Sequence, residues 1–407
     1  MDLTSLPVVD VHCHPFLNPG PYTADEFINA ISFSGGGLDF LREGGVPDSP
    51  ELHAEIQSVR RNTLWIRYAV RQLAAFFDCA PTVEAVAAAR NSAMTGGHPA
   101  YAGSLYAAMS GGYSAYAGRL YAAAGITALV ADMGYPQPPV DLDAFRTELP
   151  AEVVPLFRIE PLIADLLAAP IGWDEFRRRY DDAIVHALEK DGYRGLKSII
   201  AYRTGLDVSP LSRTPDQGLE ALDAIRRGTG GGAMKKLRDH LLCRALELCM
   251  EYDVPMQIHS GMGDWQVNLV KCRPGLLMDL LRFPTFRACN VIIVHTGYPY
   301  HAEAGYMANM LPRVYCDVSE GIPFASSAAK RIFLETMEMA PISKVVFGTD
   351  GYTLPEINFA GTMLGKQALG AALDELVAAN FLDEDEAYEA AGWILAGTAR
   401  RLYKMEG

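Results

Sequence analysis

The sequence predicts an α/β protein of the (β/α)8, TIM-barrel class. Three observations predict it: eight short apolar runs of strand character, helical stretches between most of them, and histidines and an aspartate where those runs end. Near-continuous apolar strands alternating with helices are the pattern of a parallel sheet covered on both faces. Eight such units favour a closed barrel over a doubly wound open sheet, which more often has about five to seven strands. No GxGxxG or GxxxxGK[ST] motif supports a nucleotide fold.

The first run is 6–12 (LPVVDVH), and about 110 residues separate it from the second, 126–133 (ITALVADM). One ring helix does not need that length. The intervening stretch has helical periodicity and holds a glycine-rich SGGG at 34–37. It also carries a short repeat, AYAGSLYAA at 100–108 and AYAGRLYAA at 115–123. Two copies are too few for a solenoid, so residues 16–122 are expected to form a helical insertion or lid, with a hinge at the glycines. The remaining runs are 153–160 (VVPLFRIE), 193–200 (YRGLKSII), 254–260 (VPMQIHS), 290–295 (NVIIVH), 313–319 (RVYCDVS) and 344–349 (KVVFGT). Helices over 365–403 are expected to close a single barrel domain of residues 1–407.

Composition narrows the partners. Hydrophobic residues make up 50% of the 407 and charged residues 21%, enough to bury a sizeable core. A net charge of −14, with no basic stripe, argues against nucleic acid. No apolar run is long enough for a membrane span, and the first residues lack the pattern of a signal peptide. The seven scattered cysteines include no CxxC pair, so reduced thiols and a cytoplasmic location are expected. A small-molecule substrate is the expected partner, and a homo-oligomer is left open.

Chemistry concentrates at strand ends. The first strand ends in His12-Cys13-His14, and residues two apart on a strand share a face, so both imidazoles can grip one cation while Cys13 faces away. Strand five ends in His259, strand six in His295 and strand eight in Asp350. In a barrel these ends converge on one rim. Four of nine histidines lie there, and together with Asp350 they form a candidate metal cluster. Imidazole and carboxylate ligands suit zinc first, and manganese or iron equally, as one or two ions. Arg158 and Arg203 sit at adjacent strand ends, where each either clamps a carboxylate or pairs with Glu160 or Asp207. Trp265 and Tyr298 are candidate pocket walls. Asp264 and Glu320 read as structural rim carboxylates.

This arrangement resembles the amidohydrolase superfamily. The segments VDVHCHPF, GLKSIIAYRTGL, PMQIHSGMGD, VHTGYP and FGTDGY are similar to its amidohydrolase-2 subgroup. Within that subgroup they are most like the amidohydrolase-like half of nodulin-type and fungal glutamine-synthetase fusions, whose synthetase half is absent here. The resemblance implies that Lys197 on strand four is either a CO2-derived carbamate bridging two ions or an ordinary lysine paired with a carboxylate. In the first case His12, His14 and Asp350 hold one ion and His259 and His295 the other. It also implies hydrolysis of an amide or related C–N bond, such as a γ-glutamyl amide, with Asp350 as proton shuttle. The alternative is a one-metal, non-oxidative decarboxylase with His295 as proton donor. A binding protein on an inactive barrel is disfavoured, because every expected ligand is present.

Overall fold

A computed structural model describes residues 1–33, 37–94 and 112–405. Eight parallel strands follow one another around the sheet in chain order. They are β1 (Val8–Cys13), β2 (Ile126–Asp132), β3 (Glu152–Arg158), β4 (Leu196–Ser198), β5 (Met256–His259), β6 (Val291–Val294), β7 (Val314–Asp317) and β8 (Val345–Val346). The backbone N–H of Val11 donates to Phe347 O at 2.9 Å and that of Asp350 to His12 O at 2.8 Å. These bonds join the last strand to the first, and the expected TIM barrel is present.

Each apolar run holds its strand, but the ladders stop earlier than the apolarity does. β4 keeps three residues because the chain coils into a short helix, Ile200–Arg203, one residue beyond its end. β8 keeps two, since Phe347 N–H turns away to Ile394 O.

Alternate residues fill the barrel. Val9, Val11, Ala128, Val130, Val154, Leu156, Ile292 and Val294 form one buried cluster, joined by Leu402, Tyr403 and Met405 from the C-terminal segment. Cys13 packs in the second cluster, between the sheet and the helices. The pairing of β1 with β2 slips between Asp10 and Cys13. A bulge there re-aims side chains, so Val11 can fill the interior while His12 and His14 both reach the mouth.

Within the expected insertion, helices run over Ala24–Ile31, Gly37–Glu43, Pro50–Arg61, Leu64–Phe77, Val83–Met94 and Gly112–Ala124. The last packs on β2 and on the helix Pro355–Ala378, which is the place of an outer-ring helix. The ring position between β1 and β2 therefore falls largely inside 16–122. Likewise, the long helix after β8 starts at Pro355, ahead of residue 365. The second repeat copy lies in Gly112–Ala124. The first copy and the expected hinge at Gly36 lie outside the described residues.

The helical stretch is tied to the barrel by buried charge. Arg90 and Glu356 are both inaccessible to solvent and form an ion pair, and Tyr116 Oη donates to Glu356 Oε1 at 2.7 Å. Removing one partner leaves the other charge buried and uncompensated. Glu356→Ala should therefore lower unfolding free energy by about 3–5 kcal/mol. Urea denaturation measures this, and a loss below about 1 kcal/mol would mean that the stretch contributes little to barrel stability.

Among the described residues no helix is long and apolar enough to cross a membrane. All seven cysteines are free thiols.

Candidate metal centre

The C-terminal ends of the strands open into a cavity of about 660 Å³. His12 and His14 enter it from β1, Lys197 from β4, His259 from β5, His295 just past β6 and Asp350 past β8. Asp350 reaches it from a left-handed backbone (φ 58°), a conformation Asp and Asn adopt more readily than most residues. Its Oδ1 lies 3.3 Å from His12 Nε2 and 3.4 Å from His14 Nε2. That oxygen is buried and has no hydrogen-bond partner.

Outer hydrogen bonds set the tautomers. Gln257 donates through Nε2 to Val11 O at 2.7 Å and to Tyr403 Oη at 2.8 Å. Its Oε1 is therefore left to accept from His12 Nδ1 at 2.8 Å. His14 Nδ1 faces Asp132 O at 3.3 Å. His295 Nδ1 faces Ser319 Oγ at 2.9 Å, and that hydroxyl donates to Asp317. In each ring the proton sits on Nδ1 and the Nε2 lone pair points into the cavity, as a ligating imidazole requires. Burial pushes His12, His259 and His295 well below the usual imidazole range, reinforced by the charge of Lys197. Neutral rings are the form that binds a cation.

Lys197 lies at the centre, 1% exposed, with Nζ 3.1 Å from His12 Nε2. Burial lowers its amine from the usual 10.5 to about 8, although Asp132 opposes the shift. Three overlapping groups could hold an ion: His12, His14 and Asp132; His12, His295 and Asp350; and His259, His295 and Glu320. Neutral lone pairs beside an unpartnered carboxylate oxygen fit a divalent cation.

A profile of the amidohydrolase family (Amidohydro_2) matches residues 9–405. The chain belongs to the amidohydrolase family. It is 32% identical over 256 residues to Protein fluG of Emericella nidulans, which covers 60% of this chain and 29% of that protein. The chain thus matches less than a third of that relative's length. A candidate metal-dependent hydrolase from Lactobacillus casei shares 25% identity and superimposes with a TM-score of 0.79, over 99% of this chain and 97% of that one. Glucuronate isomerase from Caulobacter crescentus, 15% identical with a TM-score of 0.62 over 99% and 92% of the two chains, shares the fold.

The amidohydrolase frame brings together every expected ligand, but not every expected substrate contact. Arg158 faces the cavity yet is engaged by Asp132, with Nε at 3.0 and 2.9 Å from the two carboxylate oxygens. It is an ion-pair partner and not a free clamp. Glu160, its expected partner, instead accepts from Ser198 Oγ at 2.7 Å. Burial alone would raise the Asp132 carboxyl, but the charge of Arg158 first, with that of Lys197, outweighs it and holds it at about 2. Arg203 lines the cavity, is exposed, and forms no ion pair among the described residues. Trp265 also lines it, 44% exposed and edge-on to Phe40. Tyr298 does not line it: the chain turns back at Thr296 and Gly297, both at positive φ, and the ring stacks on His301. The wall tyrosines are Tyr135, Tyr202 and Tyr352.

Sequence reasoning missed two carboxylates. Asp132 is the last residue of β2, the same kind of position that singled out the histidines. Glu320, read as a rim residue, is 2% exposed and lies 3.4 Å from His295 Nε2.

Proposed function

We propose that this amidohydrolase-family chain is a metal-dependent hydrolase of an amide or related C–N bond in a small, carboxylate-bearing substrate. The observation that carries the reading is Asp350 Oδ1, buried and unpartnered, 3.3 and 3.4 Å from two imidazole lone pairs. His12, His14 and Asp350 would hold one ion, zinc by preference, with manganese or iron suiting the same donors. A divalent cation bound there would supply Lewis acidity, to the substrate carbonyl and to the attacking water near neutral pH. Asp350 takes the proton of the attacking water and returns it to the leaving nitrogen. Gln257 and the Asp132 carbonyl keep both imidazoles in the ligating tautomer throughout.

His259 and His295 would hold a second ion, and Lys197 is proposed to join them as a carbamate. Its support is geometric: a buried amine with no ion pair among the described residues, beside the lone pair of His12. In the neutral form its nitrogen attacks CO2, a C–N bond forms and the amine proton leaves to solvent.

Arg203 is proposed to hold the substrate carboxylate. Arg203→Ala should raise KM for an anionic substrate about 10- to 100-fold while leaving kcat within a few-fold, as expected for loss of one charge-assisted hydrogen bond. Steady-state kinetics on carboxylate-bearing amides checks this. The reaction class itself is tested by incubating the zinc-loaded protein with γ-glutamyl amides, N-acyl amino acids and hydroxylated aromatic acids. Metal-dependent release of amine supports hydrolysis. Release of CO2 from the aromatic acids alone would replace it with decarboxylation, with His295 as proton donor.

A further inference from the structure

We infer that Glu320 is a protein ligand of the second cation, completing a site with His259 and His295. This rests on the reading of the barrel mouth as a divalent-metal site.

Glu320 lies three residues past the end of β7, at φ 58° and ψ −53°. A non-glycine residue in that region is strained and persists only where its surroundings impose it. The effect is to drive a carboxylate inward: the residue is 2% exposed, and Oε2 is buried with no hydrogen-bond partner. Oε2 lies 3.4 Å from His295 Nε2, which in turn lies 3.1 Å from His259 Nδ1. The ligand atoms of the three residues fall within 4.8 Å of one another. His259 Nε2 is also buried and unpartnered.

An ionised carboxylate buried without donors is costly, and here Asp350 and Asp264 add like charge. A cation removes the conflict. Two imidazoles and one carboxylate, with room for a further ligand, are a recurrent donor set for catalytic zinc. Glu320 and His259 belong to neither of the groups that contain His12.

The competing account is a permanently protonated Glu320 that merely packs against His295. Glu320→Gln separates the two, because glutamine keeps the shape and hydrogen-bonding capacity but not the charge. Metal-free full-length protein is titrated with Zn2+ by calorimetry, with elemental analysis of the product and the absorption spectrum of the Co2+ form. The wild type should take up two ions per chain. Glu320→Gln and His259→Ala should each retain one ion at unchanged affinity and bind the second at least about tenfold more weakly, since even outer-shell partners are worth roughly 10- to 100-fold. Two ions bound by Glu320→Gln at wild-type affinity would overturn the assignment. So would a wild type that binds a single ion, lost in Asp350→Asn and kept in Glu320→Gln, while leaving the divalent-metal reading of the barrel mouth in place. A wild type that binds no divalent ion would overturn both.

Discussion

Asp350→Asn is expected to lower kcat/KM by roughly 10³-fold or more, through loss of a charged ligand and of the proton shuttle together. The fold should be unaffected. Asparagine tolerates the left-handed backbone at this position as aspartate does, and the backbone bond from residue 350 to His12 O does not involve the side chain. The carboxylate oxygen that faces His12 and His14 has no partner to lose. In metal-free protein the substitution should therefore leave the urea midpoint unchanged or slightly raised, because an unpaired buried charge has been neutralised. Turnover beside the urea melt measures both effects. Full activity in Asp350→Asn would remove the proton shuttle from the mechanism.

Lys197→Ala is expected to cost one of two ions and nearly all activity, on the order of 10²-fold or more. Short carboxylic acids such as acetate or propionate should restore part of both, because a free carboxylate can bridge where the carbamate did. Lys197→Arg should not be rescued, since a guanidinium stays charged, cannot capture CO2 and fills the space. Metal content and activity, each with and without added acid, give the answer. Full metal content in Lys197→Ala, with only a raised KM, would make Lys197 an anion-binding group. Were that content a single ion in both proteins, decarboxylation would overtake hydrolysis.

The candidate ligands were legible because histidine is rare, nine in 407 residues, so four of them at strand ends carry weight. Carboxylates are not rare: Asp and Glu number 49, and a single one at a strand end stands out little. Asp132 nevertheless satisfies the same positional rule, as the final residue of β2. Glu320 does not. It reaches the site through a positive-φ turn after β7, and such a turn leaves no periodic trace in a non-glycine residue. Tyr298 failed for a related reason, because the reversal at Thr296 and Gly297 decides which way its ring points. The eight strands were recognisable from continuous apolarity. Their ends were not, because Phe347 and Ile199 stay apolar after the ladder has stopped. The β1 bulge was equally invisible, although it allows the chain to fill the barrel with Val11 and still present His12 and His14. The place of Gly112–Ala124 in the outer ring depends on its packing against β2 and Pro355–Ala378, which periodicity alone does not specify.

The central claim is that His12, His14 and Asp350 together hold a divalent cation. Anomalous diffraction at the zinc edge, from crystals of zinc-loaded protein, tests it most directly. The expected result is a peak at bonding distance, about 2.0–2.2 Å, from His12 Nε2, His14 Nε2 and an Asp350 carboxylate oxygen. Anomalous density elsewhere in the molecule, with none among these three side chains, would contradict it.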